Sequence, residues 1–221
     1  MNQNRQQWNA QQQQLRQALN RPADFELAVD LFLRQHGAVH AAQTSGNTDW
    51  SFADEVWLGL NPNIARRIPS SSNHSIAWLT WHLARIEDVT MNLLLVGQSQ
   101  VLDENWQARL NISAADTGNG MSSQAISELS KEIDLTALLA YRGAVGRRTR
   151  ENITRITAAD LKKRVDPLRI ERLRVEGVVL PEGSAVIDYW SGLTLAGLLL
   201  MPPTRHNFIH LNEALRLKQK R

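Results

Sequence analysis

Strand-type alternation is almost absent from this chain. Its apolar residues recur at the 3.6-residue period of a helix, which restricts it to an all-α fold. After Pro22, a residue suited to a first helical turn, Phe25, Ala28, Val29, Phe32, Leu33 and Val39 mark a first long helix that runs out at Ser45 and Gly46. A shorter helix is predicted over 52–60. Ser70–Asn73 then offers capping groups for a second long helix over 75–96, with its stripe at Ile76, Leu79, Leu83, Ile86 and Leu93. A third long helix starts at Asp134 and extends to 156, and a last one covers 193–217, where Pro202 and Pro203 force a kink or a restart. The connection 98–133 carries a short helix over 123–131. Thr157–Asp160 has the form of a capping box opening another short helix, helical spacing resumes over 168–175, and a brief extended piece is predicted at 178–180. Four long helices with a long link between the second and third imply a bundle whose helices 2 and 3 can run parallel.

Residues 1–21 are dominated by Gln and Asn. They form an extension before a bundle domain at 22–221, with a loosely docked helix (Trp8, Leu15, Leu19) and disorder both open. At 221 residues and 43% hydrophobic content, one domain with a sizeable core is expected. No apolar run is long enough to cross a bilayer, and the first residues lack the apolar centre of a secretory signal, so a cytoplasmic location is expected. The chain has no cysteine, so any thiol used in catalysis must arrive as a small molecule. Between Tyr141 and Val175 eleven basic residues face four acidic ones. With only Tyr141 available for stacking, that run reads as a solvated helix surface rather than a nucleic-acid interface.

The chemistry lies in the histidines. His206 and His210 are four apart and share one helix face, where two imidazoles can grip one ion. His82, at the edge of the second helix's stripe, is placed to complete a tripod that leaves coordination positions open. His36 and His40 repeat the same spacing and are read as packing or pocket-lining groups, with His40 open as a fourth ligand or hydrogen-bond partner. Glu213 is either a carboxylate orienting His210 or a surface group. Arg85 and Glu87 are read as surface ion pairs, His74 as a solvent-facing loop residue, and Trp78 and Trp81 as core and pocket wall.

The segment Ser75-Ile-Ala-Trp-Leu-Thr-Trp-His82-Leu-Ala-Arg-Ile-Glu87 resembles the second-helix motif of the DinB/YfiT-like family, and His206-Asn-Phe-Ile-His210 is similar to that family's last-helix signature. The resemblance spans 22–217. It implies a four-helix bundle of up-down-down-up topology, usually homodimeric, with a divalent metal held by His82, His206 and His210. It further implies a metal-dependent transferase or isomerase that uses a low-molecular-weight thiol on a small substrate. A hydrolase and a non-catalytic metal- or ligand-binding stress protein are the alternatives. Zinc, nickel, iron and manganese all suit imidazole ligands. The Pro202–Pro203 pair departs from the family's continuous fourth helix, and the segments 98–133 and 158–190 exceed what a minimal member needs. They could roof the pocket or build a dimer contact.

Overall fold

A computed structural model describes residues 3–46 and 50–220, so the first two residues of the N-terminal extension, the stretch 47–49 and residue 221 lie outside it. The long helices are α1 (Gln3–Leu19), α2 (Phe25–Val39), α3 (Ile76–Asp88, continuing into a π-helical turn Val89–Leu94) and α4 (Leu135–Ile153). The last helical rod comprises α5 (Leu195–Leu200), a π-helical turn Met201–His206 and α6 (Asn207–Gln219). Short helices fill the connections, at Phe52–Trp57, Pro62–Arg66, Glu104–Leu110, Ser123–Glu132, Pro167–Val175 and Ala185–Ser191. Among the described residues there is no strand, only an isolated bridge between Arg164 and Thr194. No described helix is long and apolar enough to cross a membrane.

Local chemistry accounts for the helix starts. Ser75 accepts the Trp78 N–H at α3, Asp134 accepts that of Ala137 at α4, and Thr194 accepts that of Gly197 at α5. The Thr157–Asp160 motif opens no helix. Both the Thr157 N–H and its hydroxyl close on the Asp160 carboxylate, so the motif satisfies itself as a turn. The piece at 178–180 forms no strand; its Val178 carbonyl accepts the Thr117 N–H and so holds a loop instead.

The apolar interior has two clusters, and each long rod passes from one to the other with polar groups at the changeover. Along α1 the order is Trp8, Gln12, Leu15; along α4 it is Val145, Thr149, Ile153. On α3, Ala84 belongs to the first cluster and Ile86 to the second, beside buried Arg85 and Glu87. α2 runs the opposite way, from Phe32 through His36 to Val39, as does the last rod, from Leu199 through Thr204 and Asn207 to Phe208. So α3 and α4 run in the same sense, as the long connection between them permits. A band of buried polar groups separates two apolar cores.

α3 is central, with all its residues buried, and that overturns the surface reading of Arg85 and Glu87. A helix covered on every side must pair its charges inside the protein. The N-terminal segment is a docked helix rather than a loose one. Trp8 is buried, with its ring stacked 3.9 Å from Phe208, and Gln12 donates to the Leu200 carbonyl. The basic run is only partly a solvated face. Arg142 donates to the Val39 carbonyl at the end of α2 and Arg150 to the Leu33 carbonyl within it, while Arg169 and Arg172 satisfy Leu94, Leu95 and Gly97 after α3.

Candidate metal centre

His82 projects from the middle of α3; His206 closes the π turn, and His210 stands one turn later on α6. The fold brings them together. Ring centroids are 5.0 Å apart for His82–His206, 5.4 Å for His82–His210 and 4.6 Å for His206–His210. One ligand atom from each lies within 4.8 Å of the others, a set that could hold a metal ion. Pro202 and Pro203 do not break the rod before His206. The chain widens into the π turn, and the Thr204 hydroxyl donates to the Leu199 carbonyl, whose α-helical donor would be the N–H that Pro203 lacks, and to the Leu200 carbonyl.

The donor set fits an ion. The His82 Nδ1–H donates to the Thr117 carbonyl, and the His210 Nδ1–H to Glu213 Oε2 at 2.9 Å. Both bonds fix the ring and leave Nε2 as the free lone pair, the arrangement found where imidazoles bind metals. His206 has a buried Nδ1 with no hydrogen-bond partner among the described residues. Burial, reinforced by the neighbouring His210, lowers His82 to about 3, so its ring is neutral at physiological pH. Burial together with His82 and His210 likewise takes His206 well below the ordinary histidine range. Glu213 is not a free surface carboxylate. Hydrogen bonds from His210 and His74 hold it down to about 2, so it faces the site ionised. His74 is not loose in solvent either; its ring stacks on Trp78 at 4.3 Å, and Trp78 stacks on His82 at 4.8 Å. Trp78 and Trp81 are both buried in the first apolar core cluster.

Sequence reasoning missed the loop that orients His82. Thr117 supplies the carbonyl, and Gly118, at φ +82°, lies so close that a Cβ would stand 2.8 Å from Trp81 and 3.3 Å from His82 Nδ1. The turn-forming run at 116–120 was the available signal.

His36 and His40 do not reach the triad. Their Nε2 atoms donate to Glu87 Oε1 and Oε2, each at 2.8 Å, while Thr149 and Asn207 donate to the same two oxygens at 2.8 Å. This group also has ligand spacing, but four donors already fill the lone pairs of one carboxylate. Gly146 packs against the other side of the ring, where a Cβ would come within 2.6 Å of His40 Nδ1. The cluster therefore reads as a hydrogen-bond network that satisfies the Glu87 carboxylate, while the Nδ1 atoms of His36 and His40 stay buried without a partner among the described residues. Burial, with the charges of His36 and Arg142, outweighs Glu87 and lowers His40 to about 3; the carboxyl is held well below its ordinary range because the two imidazoles outweigh its own burial.

A pH dependence follows. The folded chain keeps His40 neutral down to about 3, whereas the unfolded chain protonates it near the ordinary 6.5. Below 6.5 the unfolded state therefore binds the extra proton, and stability falls as pH drops through this window. Glu87 adds to the loss at lower pH, because its depressed carboxyl stabilises the fold only while ionised. The urea midpoint of metal-free protein should decline between pH 7 and 5, before carboxylates titrate. A flat midpoint over that interval would contradict the assignment.

No curated protein matches this chain. The family model described as the DinB superfamily matches residues 47–180, a span that contains His82 and the 116–120 loop but stops short of His206 and His210. An all-helical fold and a match over more than half of the chain place the protein in its family: it belongs to the DinB superfamily.

Proposed function

We propose that this protein is a metal-dependent enzyme in which His82, His206 and His210 hold a divalent ion. It would activate a low-molecular-weight thiol, or water, for transfer to a small electrophilic substrate. The observation that carries the reading is the convergence of three imidazoles from separate parts of the chain, two with Nδ1 committed to an acceptor and Nε2 left free. When bound, such an ion supplies Lewis acidity, enough to bring a water from about 15.7 towards neutrality or to ionise a thiol. Neutral imidazoles leave its charge undiminished. The chain's own residues do the rest: Thr117 and Glu213 orient the rings, and the His74–Trp78–His82 stack forms an apolar wall. Glu213 keeps a negative charge beside His210 and His74. The absence of cysteine fits a thiol that enters as co-substrate.

The test is metal analysis by mass spectrometry on tag-free protein from metal-replete cells. Wild type should carry close to one equivalent. His206→Ala and His210→Ala should each lose nearly all of it while keeping their helicity. Metal-free wild type would overturn the reading. A conjugation screen with small thiols, run beside a water-only control, then separates transferase from hydrolase. A homodimer is the expected assembly, to be read by sedimentation.

A further inference from the structure

Glu87 follows His82 by five residues on α3, and Asn207 directly follows His206. One hydrogen bond joins them: the Asn207 side-chain amide donates to Glu87 Oε2 at 2.8 Å and also to the Pro203 carbonyl at 3.1 Å. We propose that Glu87, acting through Asn207, is a positioning residue for His206, and so sets the geometry of the three-histidine centre from its buried side. The inference rests on the metal reading above.

The local backbone explains why such an anchor is needed. Pro202 and Pro203 contribute no N–H, so the rod just before His206 lacks two backbone donors and widens into the π turn. Side chains take over: Thr204 on the Leu199 and Leu200 carbonyls, Gln12 from α1 on Leu200, and Asn207 on Pro203. Thr204 and Gln12 tie the turn to its own rod and to α1. Asn207 ties it to α3, the helix that carries His82. Its partner is itself immobilised by His36 and His40 from α2 and by Thr149 from α4. One carboxylate thus registers four helical rods. A buried carboxylate makes stronger hydrogen bonds than a neutral acceptor would. Among the described residues His206 has no orienting bond at Nδ1, unlike His82 and His210, so its placement depends on the backbone that Asn207 holds.

The experiment compares full-length wild type, Asn207→Ala, Glu87→Gln and Thr149→Val. Thr149→Val removes a donor from Glu87 Oε1 but leaves the link to Asn207 intact. All four are checked for helicity and urea midpoint, then titrated with cobalt(II). Independently, the His206 imidazole nitrogen resonances are recorded in metal-free protein. Asn207→Ala should bind cobalt about 10- to 100-fold more weakly, shift the cobalt d–d bands and move the His206 resonances. Glu87→Gln keeps the side-chain size and should do the same. Thr149→Val should lower the urea midpoint with the bands unchanged. Equal cobalt spectra in Asn207→Ala and wild type, with His206 resonances unmoved, would overturn the inference. If wild type takes up no cobalt, the metal reading fails. The metal-free resonances then decide alone: movement in Asn207→Ala supports the positioning of His206, and no movement overturns it.

Discussion

Replacing Arg85 with Met should cost about 3–5 kcal/mol, the range seen when one partner of a buried ion pair is removed. Each of the five guanidinium N–H groups has an acceptor: Asp116 O, Asp88 Oδ2, the Tyr141 hydroxyl, Gln100 Oε1 and Ala115 O. Asp88 is equally occupied, accepting from Tyr141, Asn92 and the backbone N–H groups of Val101 and Leu102. Met preserves the bulk but strips the buried Asp88 of its cation and leaves two loop carbonyls without donors. At roughly 2–4 °C per kcal/mol for a chain of this size, the melting temperature should fall by about 10 °C. Because Ala115 and Asp116 lead directly into Thr117, the same change should loosen His82 and weaken metal binding. Arg85→Lys keeps the charge without the planar fork and should fall between the two. A melting temperature within 2–3 °C of wild type in Arg85→Met would show that the network contributes little beyond packing.

That network also shows where the sequence stopped being legible. The all-α class, the long helices and the His206–His210 pair could be read because each depends on local spacing, which burial does not alter. Arg85, Glu87 and Asp88 could not be, since a charged run on a helix has the same pattern whether water or protein surrounds it. Arg85 and Asp88 find their partners only after the 100–102 and 115–118 segments and Tyr141 wrap around α3, and Glu87 only after His36, His40, Thr149 and Asn207 close on it. The same holds for the N-terminal segment: its glutamines gave no apolar stripe, yet Gln12 faces the Leu200 carbonyl that lies beside two prolines. The Pro202–Pro203 pair read as a kink because proline removes a donor; the relief comes from the neighbouring Thr204 and Asn207 side chains and from Gln12, far away in sequence. The triad was legible because two of its members sit a turn apart, whereas the groups that orient it, Thr117 and Glu213, act through a loop and through the geometry of a helix face.

Gly118→Ala should damage both the fold and the site. At φ +82° any side chain is strained, by about 1–2 kcal/mol. The new Cβ would also meet Trp81 Cζ3 at 2.8 Å and Trp78 Cζ2 at 3.0 Å, ring atoms of buried tryptophans that cannot swing aside. Overpacking of that kind adds about 1–3 kcal/mol. The loop has little room to retreat, because Asp116 Oδ1 holds the Gly118 N–H at 2.7 Å and Val178 O holds the Thr117 N–H at 2.8 Å. If the loop does shift, the Thr117 carbonyl leaves His82 Nδ1 and the ring loses the bond that aims Nε2 at the site, so metal affinity should drop about 10- to 100-fold. Gly59→Ala is the matched control: Gly59 has φ +64° and open space within 4 Å of where a Cβ would stand, so it should show the backbone strain alone. A Gly118→Ala protein no less stable than Gly59→Ala, with wild-type metal affinity, would mean that the 116–120 loop does not hold His82 in place.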